Sequence, residues 1–347
     1  MLSFKTLEAR LPLRSFAFRI AYTVKTDTPS AQSPSVDAIK RLQRSLSERL
    51  RGKQAAIDSI IACLIAEGHI LIEDVPGVGK TTLAYALAKS IHCEFNRIQF
   101  TSDILPSDIL GVSIYQGGEG AFQFFEGPIF ANVVLADEIN RASPKSQSAL
   151  LEAMERSLVT VDGETRPIQP PFMVIATQNP VDFESTFPLP AAQLDRFLMR
   201  MSIGYPNPDD EGGLLRSGKL HYDRMGIEPV VSKEDILQLQ RAVESVHLDD
   251  SIYDYLHEIV LATRNRPSIE VGVSPRGLLS FRTALQAAAL VAGRNYVTPG
   301  DAKRYAVPCL AHRLRLSGRI SGSYDWEAAA RIVQEILAEI PEPHQRS

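Results

Sequence analysis

The stretch LIEDVPGVGKTTLA, residues 71–84, has the form of a phosphate-binding loop between a strand and a helix. The usual pattern is a glycine, four free positions and then Gly-Lys-Ser/Thr. Gly79, Lys80 and Thr81 match the end of that pattern, but Asp74 stands in the first glycine position. Because Gly77 and Gly79 supply the tight turn, and because aspartate tolerates turn backbone well, we interpret the stretch as a working nucleotide site.

This loop also predicts its ligands. Backbone N–H groups of residues 77–82 are expected to point at phosphates, aided by the dipole of the following helix. Lys80 would reach the β- and γ-phosphates, and the Thr81 hydroxyl would bind Mg²⁺. We therefore predict a nucleotide with β- and γ-phosphates and magnesium as cofactors, and the family resemblance given below implies that the nucleotide is ATP. The predicted nucleotide-binding set is Pro76, Gly77, Val78, Gly79, Lys80, Thr81 and Thr82.

Short apolar segments alternate with helical ones around the loop, and this rhythm predicts a parallel α/β sheet. The strand candidates are HILIED, EFNRIQF, ANVVLADEIN, PFMVIATQNP and FLMRMSIGYP. After residue 231 the pattern is helical throughout, and Ser232 with Asp235 forms a capping-box start. The predicted domains are a poorly ordered tail and linker at 1–35, an α/β nucleotide-binding core at 36–205, a linker at 206–231 and a small all-α domain at 232–347.

The composition argues against several other classes of protein. With 347 residues, 44% hydrophobic and 22% charged, the chain is typical of a two-domain soluble protein. A net charge of −4 argues against a dedicated nucleic-acid binder. Three scattered cysteines without a CxxC pair argue against a disulfide framework or a zinc site, and they suit a reducing, cytoplasmic compartment. No apolar run approaches the length of a membrane span.

Residues 1–25 carry five basic residues and one acid, as organelle targeting peptides do. They lack the continuous apolar core of a secretory signal. We favour the interpretation that they form a loosely ordered tail.

An acidic pair ends the apolar strand VVLADE. In an enzyme with a phosphate-binding loop, Asp137 would orient the waters of Mg²⁺, and Glu138 would polarise the attacking water. The alternative is a strand that simply ends at a solvated, acidic helix cap. The position of the pair, one strand after the loop, favours the catalytic interpretation.

Three further polar residues are candidates for catalysis. Asn179 closes the strand of IATQNP, where its amide could hold a water against the γ-phosphate, although Asn-Pro also starts turns. Arg196, in LPAAQLDRF, suits an arginine finger given to a neighbouring subunit, or a salt bridge with Asp195 or Glu184. Arg276 opens a helix in GVSPRG and could reach the phosphates from the second domain, or be a solvated helix start.

Two inserts interrupt the strand–helix rhythm. GVSIYQGGEGAFQFFEG has two strand-like pieces around a glycine-rich turn, and SLVTVDGETRPIQPP has an Asp-Gly hairpin signal. The first insert carries four apolar side chains that, taken alone, favour packing against their own domain. They are Ile114, Tyr115, Phe122 and Phe124.

Taken together, these motifs resemble those of the MoxR-family AAA+ ATPases. The resemblance covers about residue 36 to the C-terminus and is carried by LIEDVPGVGKTTLA, QFTSDILPSDILG, GPIFANVVLADEINRASPKSQSALLEAMER, VIATQNP, FPLPAAQLDRFLM and GVSPRG. It implies a parallel-sheet phosphate-loop core with an insert in the second helix and a hairpin before the asparagine strand, followed by a small all-α lid. The two inserts match these two features, and the match reverses the interpretation that the apolar side chains of the first insert pack against their own domain. Glu126 departs from the family pattern, which puts the surface charge of the first insert in doubt.

The resemblance also implies roles for particular residues. Lys80 and Thr81 match the phosphate loop, and the lid arginine is Arg276. Asp137 and Glu138 match the acidic pair, Asn179 the sensor asparagine and Arg196 the finger, while Arg141 matches a recurrent arginine of less certain role.

At the level of function, the resemblance implies a Mg-dependent ATPase that forms a ring, usually a hexamer, and acts as a chaperone-like remodeller of protein complexes. Hydrolysis would be completed by a neighbouring subunit's arginine, and a von Willebrand factor A domain protein would be the partner. Two alternatives stay open. One is a nucleotide-gated nucleic-acid remodelling factor. It is supported by a basic cluster, although such a cluster is more often a solvated helix end: His312, Arg313, Arg315 and Arg319. The other is a non-hydrolysing switch or scaffold.

Overall fold

The protein is described by a computed structural model that covers residues 34–116, 121–179, 186–205, 212, 226–318 and 325–343. Nearly all of the predicted tail and most of the predicted linker at 206–231 lie outside these residues. Within the described part, no helix is both long enough and apolar enough to cross a lipid bilayer.

The core is a five-stranded parallel sheet with strand order β2-β5-β8-β1-β9. Its inner strands are apolar on both faces because helices cover both, as parallel sheets require. The predicted α/β class is thereby confirmed. The strands are β1 (Ile70–Glu73), β2 (Phe95–Gln99), β5 (Val133–Asp137), β8 (Met173–Gln178) and β9 (Met199–Met201).

Six helices of the described chain belong to this part of the molecule. Two long helices precede β1, and the phosphate loop leads directly into α3, as the sequence predicts. Helix α5 starts at a Ser143 side chain that accepts from the backbone N–H of Ser146, with a proline in its first turn. The helices are α1 (Pro34–Arg49), α2 (Gln54–Ile65), α3 (Lys80–Ser90), α4 (Pro106–Leu110), α5 (Pro144–Arg156) and α6 (Ala191–Leu194).

Both inserts are antiparallel hairpins. The first is formed by β3 (Gly111–Gln116) and β4 (Ala121–Glu126), and the second by β6 (Leu158–Val161) and β7 (Glu164–Pro167). They touch where the Arg166 guanidinium lies 4.0 Å from the centre of the Phe124 ring.

The apolar residues of the first hairpin do not all pack inward. Ile114, Tyr115 and Phe122 are exposed, Phe122 at 73%, so packing against their own domain is wrong for these three. It holds for Phe124, which is half-buried against Phe130.

The C-terminal part is a helical lid, as predicted, with one addition. A short antiparallel ribbon joins β10 (Ile269–Val271) and β11 (Arg315–Leu316). The predicted capping box is present, since Ser232 and Asp235 exchange side-chain and backbone hydrogen bonds. The lid helices are α7 (Lys233–Val243), α8 (Asp250–Asn265), α9 (Pro275–Val291), α10 (Pro299–Leu310) and α11 (Trp326–Glu339).

The lid shares one apolar core with the helices that precede β1. A continuous cluster of buried side chains runs from α1 and α2 through α3 into the lid helices. Gln240 on α7 adds a buried hydrogen bond, since its amide donates to the carbonyl of Leu64 over 3.0 Å. The lid is therefore packed firmly on this side of the molecule.

His69 is the residue directly before β1, and its imidazole connects this strand to β8 and α5. Its Nδ1 accepts from the N–H of Val174 on β8 over 2.9 Å, and its Nε2 lies 3.0 Å from the carbonyl oxygen of Met154 on α5. These contacts fit a neutral imidazole that carries its proton on Nε2. Burial lowers the pKa of His69 to about 4 because the charged form is poorly solvated there.

We predict that this histidine makes the fold sensitive to acid. In the unfolded chain the imidazole binds a proton near pH 6.5, whereas the folded chain resists protonation of His69 down to about pH 4. The free energy of unfolding should fall as the pH drops through that window, by about 3 kcal/mol from His69 alone. Urea unfolding at pH 7 and 4.5 measures the loss, and it should be smaller in His69→Gln. An NMR titration with a His69 midpoint near pH 6.5 would contradict the assignment.

Candidate functional site

The loop, the acidic pair and Asn179 meet at one edge of the sheet. They follow β1, β5 and β8, which are neighbours in the sheet and run in the same direction. The carboxyl ends of these strands therefore share an edge, where ligands of open α/β sheets bind. The geometry thus brings together the predicted nucleotide-binding loop, the acidic pair and Asn179.

Two glycines shape the loop. Gly77 has φ +87° and Gly79 has φ +101°, backbone conformations that side chains with a Cβ rarely adopt. A Cβ on Gly77 would meet no atom within 4 Å, so the reason for glycine there is the backbone angle and not a lack of space. The turn delivers the chain into α3 with its first N–H groups at the sheet edge.

Lys80 points back along the loop. Its Nζ donates to the carbonyl oxygen of Asp74 over 2.7 Å. Burial lowers the pKa of Lys80, whereas the negative charges of Asp137, Asp74 and Glu138 act in the opposite direction. The ammonium therefore lies among carboxylates at the centre of the site.

Asp74 has a role that the sequence analysis missed. One carboxylate oxygen accepts from the Ser202 hydroxyl at 2.9 Å and from the N–H groups of Ile203 and Gly204 at 2.7 Å each, while the other accepts from the N–H of Val75. Asp74 is not among the described residues with positive φ. Of the left-handed or turn backbone that aspartate tolerates, the left-handed conformation is thus not used, and the Asp74 carboxylate instead ties the loop to the chain that follows β9.

Thr177 organises the acidic pair. Its hydroxyl donates to the Asp137 carboxylate over 2.6 Å and accepts from the backbone N–H of Glu138 over 2.9 Å. Glu138 itself takes left-handed backbone, with φ +57°. The sequence analysis overlooked Thr177, although a polar residue directly after the apolar run MVIA was an available signal.

Each acid of the pair also has a basic neighbour. Arg97 on β2 forms an ion pair with Asp137 at 2.6 Å. Arg141 forms one with Glu138 at 2.8 Å, and the Gln99 amide donates to the same Glu138 oxygen over 3.2 Å. Arg141 is thus placed beside the acidic pair of its own chain.

Arg196 and Arg276 share a single carboxylate. Arg196 forms an ion pair with Glu155 at 3.2 Å and also donates to the carbonyl of Leu151. Arg276 lies 2.9 Å from the other oxygen of Glu155. The carboxylate partner of Arg196 is Glu155, so the salt bridge expected with Asp195 is wrong, whereas Glu184 lies outside the described residues.

This arginine pair lies at the opposite edge of the sheet from Lys80. Glu155 is in the last turn of α5, which returns from the carboxyl edge to the amino edge, and Arg196 precedes β9. The cavity lined by both arginines also includes Gly68 and His69, which come before β1. The structure thus places Arg276 beside Arg196 and not beside the phosphate loop of its own chain, which corrects the expectation that it reaches that loop from the lid.

The chain is similar in sequence to known ATPases. Residues 69–199 match the model of the ATPase family associated with various cellular activities (AAA), and residues 261–336 match the AAA lid domain. Chaperone MoxR1 of Mycobacterium tuberculosis is 38% identical over 80% of this chain and 77% of its own length. The chain belongs to the MoxR family of AAA ATPases.

Two other similarities extend over nearly the whole MoxR-type fold. The uncharacterised protein YeaC of Bacillus subtilis is 50% identical over 85% of this chain and 92% of its own length. The crystal structure of a candidate ATPase from Cytophaga hutchinsonii superposes with a TM-score of 0.78 at 35% identity, covering 89% of this chain and 96% of the other. The α/β core and the helical lid of this MoxR-family ATPase are therefore those of its relatives.

We predict that Asp74→Gly, which restores the usual glycine, weakens the site. The variant leaves the buried N–H of Ile203 without its acceptor, which costs about 1–3 kcal/mol, and it also leaves the partly buried N–H of Gly204 unpaired. Nucleotide affinity should fall about tenfold or more, and the urea midpoint should drop. Asp162→Gly, in the exposed turn between β6 and β7, is the control and should leave affinity unchanged. Equal nucleotide affinity in the two variants would show that the hydrogen bonds of the Asp74 carboxylate do not support the loop.

Proposed function

We propose that this MoxR-family protein hydrolyses ATP with Mg²⁺ in a ring of identical subunits and acts as a chaperone-like remodeller of protein complexes. One observation carries the proposal. The phosphate loop and acidic pair lie at one edge of the sheet, while Arg196 and Arg276 lie at the other. A head-to-tail contact, which closes into a ring, brings the two edges of neighbouring subunits together.

Nucleotide binding rests on the loop. Backbone N–H groups of residues 77–82 face the phosphates, and Lys80 exchanges its contact with the Asp74 carbonyl for phosphate oxygens. The Thr81 hydroxyl and the Asp137 carboxylate are the oxygen ligands that Mg²⁺ prefers. When bound, the ion supplies positive charge to the phosphate oxygens.

Hydrolysis rests on the acidic pair and the next strand. Glu138 polarises the attacking water, and Thr177 holds both Asp137 and the backbone of Glu138 in place. Asn179, buried at the end of β8, helps to hold the water against the γ-phosphate. Release of Glu138 from Arg141 frees its carboxylate for this role.

The arginine pair serves the nucleotide of a neighbouring subunit. Two guanidinium groups that converge on one carboxylate can converge equally on the oxygens of a phosphate. Positive charge placed there stabilises the transition state of phosphoryl transfer. Glu155 occupies both arginines in the isolated chain, so phosphate takes its place when subunits assemble.

Remodelling is supported by a relative and by one surface. MoxR1 is named a chaperone. The first hairpin of the present chain exposes apolar side chains on both of its faces, Val112 and Ile114 on one and Tyr115 and Phe122 on the other, and such side chains are suited to protein contacts. A hexameric ring and a partner with a von Willebrand factor A domain follow from the family resemblance and belong to the same proposal.

The nucleic-acid alternative loses its main support in the structure. His312 and Arg313, two members of the basic cluster, are buried. Arg315 is exposed but forms an ion pair with Glu270, and Arg319 lies outside the described residues. The expectation that this cluster is a solvated helix end is wrong for His312 and Arg313.

We expect Glu138→Gln to bind ATP with normal affinity and to hydrolyse it at least about a hundredfold more slowly, because the amide cannot accept the proton of water. Nucleotide binding by fluorescence and phosphate release measure the two properties. Lys80→Ala is the contrasting variant, since it should lose affinity. Normal turnover in Glu138→Gln would remove this residue from the catalytic role.

We expect Arg196→Ala to bind ATP but to lose hydrolysis that rises with protein concentration, by about a thousandfold. A mixture gives the sharper test, since Lys80→Ala subunits retain Arg196 and can complete the intact loop of an Arg196→Ala neighbour. Mixing the two inactive variants should restore part of the activity. Arg315→Ala, which removes an exposed lid arginine, should behave as wild type. A mixture as inactive as its components would place the finger elsewhere.

A further inference from the structure

Arg313 is a buried cation outside the nucleotide-binding loop. It closes the turn Ala311–Arg313 after α10, and only 2% of its side chain is exposed. Burying an arginine is unfavourable unless each part of its guanidinium is paired. The hydrogen-bond partners of its guanidinium therefore indicate which segments Arg313 positions.

All three guanidinium nitrogens of Arg313 are engaged. Nη1 donates to the carbonyl of Asp195 over 2.8 Å and also to the Asp195 carboxylate, and Nη2 donates to the carbonyl of Phe197 over 2.8 Å. Nε binds the carbonyl of Cys309 over 2.8 Å, which fixes the guanidinium to the lid. The residues before and after Arg196 are thus both held by one side chain of the lid.

The same arginine contacts the start of α9, which carries Arg276. A Cβ on Gly277 would lie 3.0 Å from the Cδ of Arg313, so the glycine allows the side chain to pass closely. Ser274, which caps α9, also reaches the Asp195 carboxylate at 3.4 Å. The segments that carry Arg196 and Arg276 are therefore joined through Arg313 and Asp195.

We propose that Arg313 is a positioning residue that fixes Arg196 relative to Arg276, so that the two arginines act as one unit on the phosphate of a neighbouring subunit. This inference rests on the proposed function. Its physical basis is the planar fork of arginine, whose donors have fixed directions and can hold two carbonyls and a carboxylate at once. A lysine in the same place would keep the charge but lose that geometry.

The test compares Arg313→Lys with Arg315→Lys, an exposed lid arginine two residues further on. Arg313→Lys should lower kcat about tenfold to a hundredfold, because small displacements of a catalytic group have effects of that size. The dissociation constant for ATP should stay unchanged, since the phosphate loop lies at the other edge. Arg315→Lys should match wild type in both. Unchanged kcat in folded Arg313→Lys would overturn the inference.

A double variant separates positioning from general damage. If Arg313 acts through Arg196, then Arg196→Ala with Arg313→Lys should be no slower than Arg196→Ala alone. If kcat of the double variant were lowered by the product of the two single effects, the inference would be overturned. Should Arg313→Lys fail to fold, Asp195→Asn replaces it in both comparisons, with the same expected loss in kcat and the same outcomes against it.

The same measurements distinguish this inference from the proposed function. Wild-type turnover in Arg196→Ala would overturn both. A slow Arg196→Ala together with a wild-type Arg313→Lys would overturn only the positioning role.

Discussion

All five strands of the central sheet run in the same direction, and this constraint decides which side chains can meet. Residues that follow β1, β5 and β8 gather at one edge, and residues that precede β1 and β9 gather at the other. Lys80 and Asp137 belong to the first group and Arg196 to the second. In the proposed mechanism, one chain therefore carries two different half-sites, which cannot face each other within that chain.

Buried hydrogen bonds position the phosphate loop, the acidic pair and the segment around Arg196. The carboxylate of Asp74 anchors the loop to the chain after β9, the hydroxyl of Thr177 sets the acidic pair, and the guanidinium of Arg313 grips the segment around Arg196. Each of these groups would be costly to bury without its partners. In the proposed mechanism, a second set of polar groups thus positions the side chains that contact the nucleotide. Burial fixes the geometry of this second set.

The features that depend on a local sequence pattern were predicted from the sequence. The alternation of strands and helices identified the parallel sheet and the helical lid, and the capping signal at Ser232 located the start of α7. The loop and the acidic pair were recognisable because their chemistry requires particular residues at short spacing.

What the sequence analysis missed depends on contacts between distant segments. Asp74 accepts hydrogen bonds from residues about 130 positions away, and Arg313 donates hydrogen bonds to residues about 115 positions away. No local sequence pattern therefore indicates either role. Arg276 was expected to reach the phosphates from the second domain, and its contact with Glu155 was missed because the packing of the lid cannot be inferred from its own helix. The ribbon of β10 and β11 escaped notice since its strands have only three and two residues.

Helix α5 spans the molecule from one half-site to the other. It begins at Ser143, a few residues after Glu138 and Arg141, and carries Glu155 in its last turn. Its 13 residues make a rod about 20 Å long. In the proposed ring, this rod is a mechanical strut between successive interfaces, so that a shift at the acidic pair of one subunit displaces the anchor of the arginines that serve the next.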